Sequence, residues 1–302
     1  GEEDTGIHSI EFTMLEWYRK NADYKDIMRD TEELVKQALP PFAKGGRGLS
    51  KKRHSEPALA GEESPGARNG CCNAHFATES FAPQSGTQDD AIVFRQPGRG
   101  GFFDGTTYSY SPDYLTRSSF PRLKISNLFK KYAQIDNVEK LSLPLFTKIV
   151  HTREYSKDKN LTCEQCFNLI FLNEIEPKLP KTPFFLIDYP KPLAAMAKLK
   201  NGNPYIAERF ELYINGIELC NGFSELTDGK EQLARFKQEN RERKQMGKPE
   251  FPIDYELCEK LDLIGKTGLP RRSSAKAGGN ALGIDRLVML ILGAEKIEDV
   301  MY

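Results

Sequence analysis

The stretch AERFELYINGIELCNGFSELTD, Ala207 to Asp228, carries the reading of the whole chain. Phe210, Leu212 and Ile214 alternate with Arg209, Glu211 and Tyr213, the period-two pattern of a half-buried strand. Asn215-Gly216 supplies the positive φ angles of a tight hairpin turn. The run from Ile217 to Ser224 should then pair back antiparallel. It carries Glu218, Asn221 and Gly222, with Glu225 just beyond. A buried carboxylate needs a cation or several donors. So many polar groups among apolar neighbours point to a binding surface, with an edge hairpin wetted on one face as the plain alternative. Glu218 and Glu225 are seven residues apart, about 23 Å along an ideal strand. They serve one pocket only if the chain bends between them, and Asn221-Gly222 is the expected place.

Two further segments share this character. Near the start, Phe12, Met14, Glu16 and Tyr18 lie on one side of an alternating run, and Glu11, Thr13 and Leu15 on the other. An aromatic ring, a carboxylate and a phenol on one side could line a concave face; a mixed surface strand is the alternative. Near the end stands LPRRSSAKAGGNALGIDRLVMLILG. Glycines 278, 279 and 283 let backbone approach a ligand. The helix expected from Ile284 to Leu292 is apolar nearly all round, hence buried. Arg286 sits in its first turn, the wrong end of the dipole for a cation, which makes sense if an anion or an aromatic ring meets it.

The rest of the chain supplies framework. Helices are expected over DIMRDTEELVKQAL, with Ile27, Leu34 and Ala38 on its inner side, and in two parts of residues 121–176. A strand is expected at Pro183 to Tyr189. Asp228 should cap a polar helix, Gly229 to Met246, with Glu231 at the capping-box position and Leu233 and Phe236 as anchors. Asp254 should cap a short helix carrying Leu257 and Leu261. Residues 44–118, rich in Gly, Ser, Pro and Arg, read as a disordered insertion in a domain made of 1–43 and 119–302.

Composition narrows the function. Of 302 residues, 43 are basic and 43 acidic, so a polybasic coat for nucleic acid is not indicated. No run of about 18 apolar residues suggests a membrane span. Six scattered cysteines fit a reduced, cytoplasmic protein. Cys163-x-x-Cys166 has no second pair at zinc-site spacing and reads as packing.

Taken together, Glu2 to Tyr18, ERFELYINGIELCNGFSELTD and GGNALGIDRLVMLILG resemble, in order and spacing, the second and third motif regions of class II aminoacyl-tRNA synthetases, lysine branch. TMLEWYR at Thr13 and NALGIDR at Asn280 resemble the ligases of this branch that attach β-lysine to elongation factor P. Ala281 stands where lysine–tRNA ligases usually have glycine, and its methyl would narrow the amino-acid pocket.

The resemblance implies an α+β fold. Residues 7–19, 183–189, 205–224 and 274–282 should form one antiparallel sheet flanked by helices and backed by the helix from Ile284. It implies ATP and Mg²⁺, a lysine or β-lysine substrate, elongation factor P or tRNA-Lys as acceptor, and a homodimer. By motif, Glu2, His8, Phe12, Leu219, Gly283 and Arg286 would hold the nucleotide. Glu16, Tyr18, Asn221, Glu225 and Ala281 would form the amino-acid pocket. Glu218 and Glu225 would meet the metal, with Glu218 and Arg286 as catalytic groups. A non-catalytic synthetase-like binder is the alternative from another class. The sequence begins after the place of the second motif's arginine, and the first motif is absent, so this chain alone is expected to be weak or inactive. Ser9-Ile10 replaces a usual Asn-Pro.

Overall fold

The computed structural model describes residues 12–39, 119–266 and 276–301. Glu2, His8, Glu11 and the insertion expected at 44–118 lie outside the described residues. Taken along the chain, the first strand is β1 (Met14–Lys20), followed by helix α1 (Tyr24–Ala38). Asp23 opens α1 with a reciprocal capping box to Asp26. After the insertion come strand β2 (Arg122–Lys124) and helix α2 (Ile125–Leu128), which runs on as a π-helical turn over Phe129–Ala133. Helix α3 (Leu143–Thr152) and helix α4 (Cys163–Ile170) follow, then strand β3 (Phe184–Ile187). Strands β4 (Leu199–Lys200), β5 (Asn203–Ala207), β6 (Arg209–Ile214) and β7 (Ile217–Ser224) come next. Helices α5 (Gly229–Gln245) and α6 (Tyr255–Lys266), strand β8 (Ala277–Gly283) and helix α7 (Ile284–Leu292) complete the order.

Six strands form one sheet in the order β1-β8-β7-β6-β3-β2. The four named segments meet in it as expected, so the hairpin lies at its centre and not at an edge. Two details differ from a purely antiparallel sheet. Strand β2 pairs parallel to β3, because α2 to α4 intervene before the chain returns to the sheet. Residues 205–207, expected in this sheet, instead belong to β5, which forms a separate two-stranded ribbon with β4.

Alternation divides the sheet into two faces. Phe185, Ile187, Phe210, Leu212, Ile214, Leu219, Cys220 and Leu282 point to a core shared with α1 and α7. Phe184, Leu186 and Tyr213 point the other way, into a second core built by α2, α3 and α4. Those helices cover the β2–β3 end of that face. Toward β7, β8 and β1 the face is open, and there the polar residues gather.

Several helix expectations shift. Residues 121–176 hold three helices instead of two, because the expected division missed α3. Asp228 caps α5, but Glu231 turns away to pair with Arg235 at 2.5 Å. Leu233 and Phe236 are only half-buried; Gln232 and Asn240 go inside. Asp254 caps α6 as expected, through the Leu257 amide at 2.8 Å. Helix α7 is amphipathic in its setting: Leu287, Met289 and Leu290 are buried while Leu292 is 68% exposed.

The described residues that flank 40–118 meet at one place. Leu39 and Phe120 belong to the same buried cluster. Buried Glu32 accepts the Phe120 amide at 3.0 Å and pairs with Lys36 at 2.6 Å. The Lys36 ammonium also lies 5.1 Å from the centre of the Phe120 ring. We expect deletion of residues 44–118, with a short Gly-Ser joint, to leave the thermal midpoint within a few degrees. Glu32→Ala should cost about 1–3 kcal/mol, since it strands a buried amide. Thermal unfolding checks both, and a collapse on deletion would mean that the insertion packs against the sheet.

Candidate active site

The open face is laid out in rows by strand register. One row runs Tyr18, Gly279, Phe223, Arg209; the next runs Glu16, Ala281, Asn221, Glu211. The turn at its base has the expected left-handed residues, Asn215 at φ 55° and Gly216 at φ 77°. Glu218 joins this face through a one-residue bulge. Tyr213 pairs with Glu218 and Leu212 with Cys220, so Leu219 has no partner on β6. A regular strand would put Glu218 and Glu225 on opposite faces, being an odd number of residues apart. The extra residue reverses the alternation. The bend is therefore at Leu219 and not at Asn221-Gly222, and Leu219 itself is fully buried in the apolar core.

Two corners can be distinguished. In the first, Glu225 lies over β8 with its Oε1 buried and unpaired among the described residues. Gly279 makes this possible: a Cβ there would fall 2.5 Å from Glu225 Oε1 and 2.8 Å from the Tyr18 ring. Burial pushes the Glu225 carboxyl up to about 7. Partial burial, then Glu225 and Glu16, raise the Tyr18 phenol, although its ring is 72% exposed at the mouth. Among the described residues this corner is an acceptor set without a cation.

The second corner is anionic and braced by arginines. Arg209 pairs with Glu211 at 2.9 Å, and the Tyr213 hydroxyl donates to Glu211 at 3.2 Å. Glu218 faces the same groups. Burial, then Glu211, push its carboxyl up to about 8 against the pull of Arg286 and Arg209. Arg286 arches over Gly283 and donates to the Glu218 carbonyl at 2.6 Å. The backbone N–H of Thr13 donates to Asp285 at 2.6 Å, and Ile284 donates to the Thr13 carbonyl at 2.9 Å. These bonds fix Phe12, 53% exposed, beside the helix that carries Arg286.

Paired carboxylates of this kind suit a hard divalent cation. After burial, Glu211 is the carboxylate that raises Glu218 most, whereas among the described residues no carboxylate adds to the effect of burial on Glu225. Among the described residues no cluster of three or more metal-capable side chains occurs. Arg209, Glu211 and Tyr213 were not singled out from the sequence as site residues. Their signal was present, since they fill the side of β6 opposite Phe210, Leu212 and Ile214.

Other features stand apart from this face. Gly278 points the other way, toward Ile27 of α1. Cys166 is buried beside Thr147, and burial raises both thiols of the Cys163–Cys166 pair. A surface cleft of about 510 Å³ along α3, lined by Leu143, Thr147, His151 and Lys159 among others, includes no residue of the sheet. No helix among the described residues is long and apolar enough to cross a membrane.

The tRNA synthetases class II (D, K and N) family model matches residues 2–302. The chain is 33% identical to the elongation factor P–(R)-β-lysine ligases of Yersinia pestis strain Pestoides F and Yersinia pseudotuberculosis strain IP 31758. Each alignment spans 99% of this chain and 67% of the relative. The chain belongs to the class II tRNA synthetase family.

A stability measurement tests the first corner. Glu225 titrates near 7 in the fold against an ordinary 4.5, so the folded state holds the proton more tightly. The resulting stability is full below 4.5 and lost as pH rises through 7. Glu225→Gln carries no charge at any pH. Variant and parent should melt alike near pH 4, and at pH 8 the variant should be more stable by roughly 2–3 kcal/mol, several degrees. A gap that does not widen with pH would disprove the buried, unpaired carboxylate.

Proposed function

We propose that this class II synthetase relative activates lysine or β-lysine with ATP as an aminoacyl-adenylate and transfers the acyl group to a lysine of elongation factor P. The observation that carries the reading is the Glu225 corner: a buried carboxylate, unpaired among the described residues, beside Tyr18 and Glu16 asks for an ammonium group. The named relatives support the choice of substrate and acceptor. The reading brings with it a cytoplasmic enzyme and, as in the resemblance, a homodimer.

In this reading the substrate carboxylate attacks the α-phosphorus of ATP. A P–O bond forms, the bond to the β-phosphate oxygen breaks, and pyrophosphate leaves. The acceptor amine then attacks the acyl carbon, the bond to AMP breaks, and the amine gives up a proton. Glu225, Tyr18 and Glu16 hold the substrate's ammonium end. Phe12 stacks on adenine, Arg286 covers its other face and reaches the phosphates, and Gly283 borders the nucleotide, while Leu219, buried in the opposite core, leaves the nucleotide set. Glu2 and His8 would complete the nucleotide set. Glu211 and Glu218 would hold Mg²⁺, which supplies charge neutralisation at the phosphates. Positioning of this kind is the main source of rate in such chemistry. Ala281, between Glu16 and Asn221, narrows the row where the backbone of the amino acid lies.

Transfer of labelled β-lysine separates the acceptors. Label on elongation factor P supports the proposal; label on tRNA-Lys alone moves the chain to the lysine–tRNA ligases. Label on neither, with no ATP–pyrophosphate exchange by the full-length protein, second-motif arginine included, points to a binding protein. The KM for lysine should fall about tenfold per pH unit up to about pH 7 and then level off, because Glu225 must ionise to pair with an ammonium. Glu225→Gln should lower kcat/KM by about 10²-fold or more, as expected for stripping one partner from a buried ion pair. Ala281→Gly should raise the preference for α-lysine over β-lysine by roughly 10- to 200-fold. An unchanged ratio in a folded variant would mean that Ala281 only packs against the sheet.

A further inference from the structure

We propose that Arg209 is a positioning residue for the carboxylate end of the amino acid, acting through the amide of Asn221. This rests on the lysine-activating reading above. The Arg209 side chain is only 16% exposed and is held on four sides. Its Nε donates to Asn221 Oδ1 at 3.1 Å, and one terminal nitrogen donates to Glu211 Oε1 at 2.9 Å. The other terminal nitrogen donates to the Leu193 carbonyl at 2.6 Å, and the guanidinium lies 4.5 Å from the centre of the Tyr189 ring.

A guanidinium has donors and no acceptor. The Asn221 oxygen must therefore face Arg209, whichever way an amide would otherwise be assigned. That leaves the Asn221 Nδ2 hydrogens for the pocket, and among the described residues they are given to no acceptor. An ammonium group needs acceptors, and Nδ2 offers only donors. The open face is thus polarised. Glu225, Tyr18 and Glu16 take the cationic end, and Asn221 takes carboxylate oxygen before activation and acyl oxygen after it. Asn221 leaves the ammonium set to which its motif position had assigned it. Arg209 is the cause of this polarity, because a residue with an acceptor in its place would allow the amide to flip.

Lysine cannot replace Arg209 here, since one ammonium on a flexible stem does not reproduce three directed bonds from a rigid fork. Calorimetric titration of the full chain with lysine and with 1,5-diaminopentane, which is lysine without its carboxylate, separates the roles. Arg209→Lys should weaken lysine about tenfold and leave the diamine within twofold. Asn221→Asp keeps an oxygen toward Arg209 but turns a carboxylate to the substrate. It should weaken lysine at least tenfold while the diamine binds as well or better. Should Arg209→Lys fail to fold, Arg209→Gln, whose own oxygen would let the amide flip, takes its place with the same expected outcome. Equal losses for both ligands, or none for either, would overturn the proposal. If the unaltered chain binds neither lysine nor β-lysine, the activating reading fails and this proposal falls with it.

Discussion

The lack of a β6 partner for Leu219 controls which side chains reach the open face of the sheet. Strand residues alternate sides, so one extra residue reverses everything on one side of it. Without the bulge, Glu218 would enter the apolar core beside α7 and Leu219 would take its place in the site. Burying a lone carboxylate there would cost far more than a hairpin can offset. With it, Glu218 meets Glu211, Tyr213 and the two arginines, and its own carbonyl becomes the anchor for Arg286. The core and the site are therefore consequences of the same irregularity.

The site that results is under electrostatic tension. Glu218 and Glu225 both hold their protons well into the neutral range, from burial in each case and from a neighbouring carboxylate in the first. Such arrangements reduce the stability of the unliganded fold and reserve it for the ligand. The two corners differ in what relieves them. Among the described residues Glu225 has no cation, whereas Glu218 already shares Arg209 and Arg286 and sits in a charge network. A monovalent ammonium suits the first, and a hard divalent ion suits the second.

Much of this was legible in the chain. The inward side of β6, the Asn215-Gly216 turn, the caps at Asp228 and Asp254, and the shared side of Glu16 and Tyr18 follow from local rules of alternation and capping, while the meeting of these two with Asn221 was implied only by the family resemblance. What was not legible depends on pairing. A bulge is a property of two strands, and nothing in GIELCN alone shows that Leu212 will face Cys220. For the same reason nothing in the sequence alone shows that Glu211 will face Glu218 across the hairpin. The parallel β2 and the ribbon of β4 and β5 are likewise long-range outcomes. Local composition also misleads at α7, where an apolar sequence ends with Leu292 in water because the sheet covers only one side of the helix.

The Glu32–Phe120 bond gives the molecule an unusual freedom of architecture. It rivets the two ends of the intervening chain to the back of α1, on the side of the sheet opposite the polar rows. Closing a longer loop on a fixed junction costs only about 0.6 kcal/mol for each doubling of its length. Segments of very different size and composition can therefore be gained or lost at this point over evolution with little effect on folding. The same junction is a natural socket for a fluorescent or affinity module, which would report on the enzyme from its rear surface while the open face remains accessible.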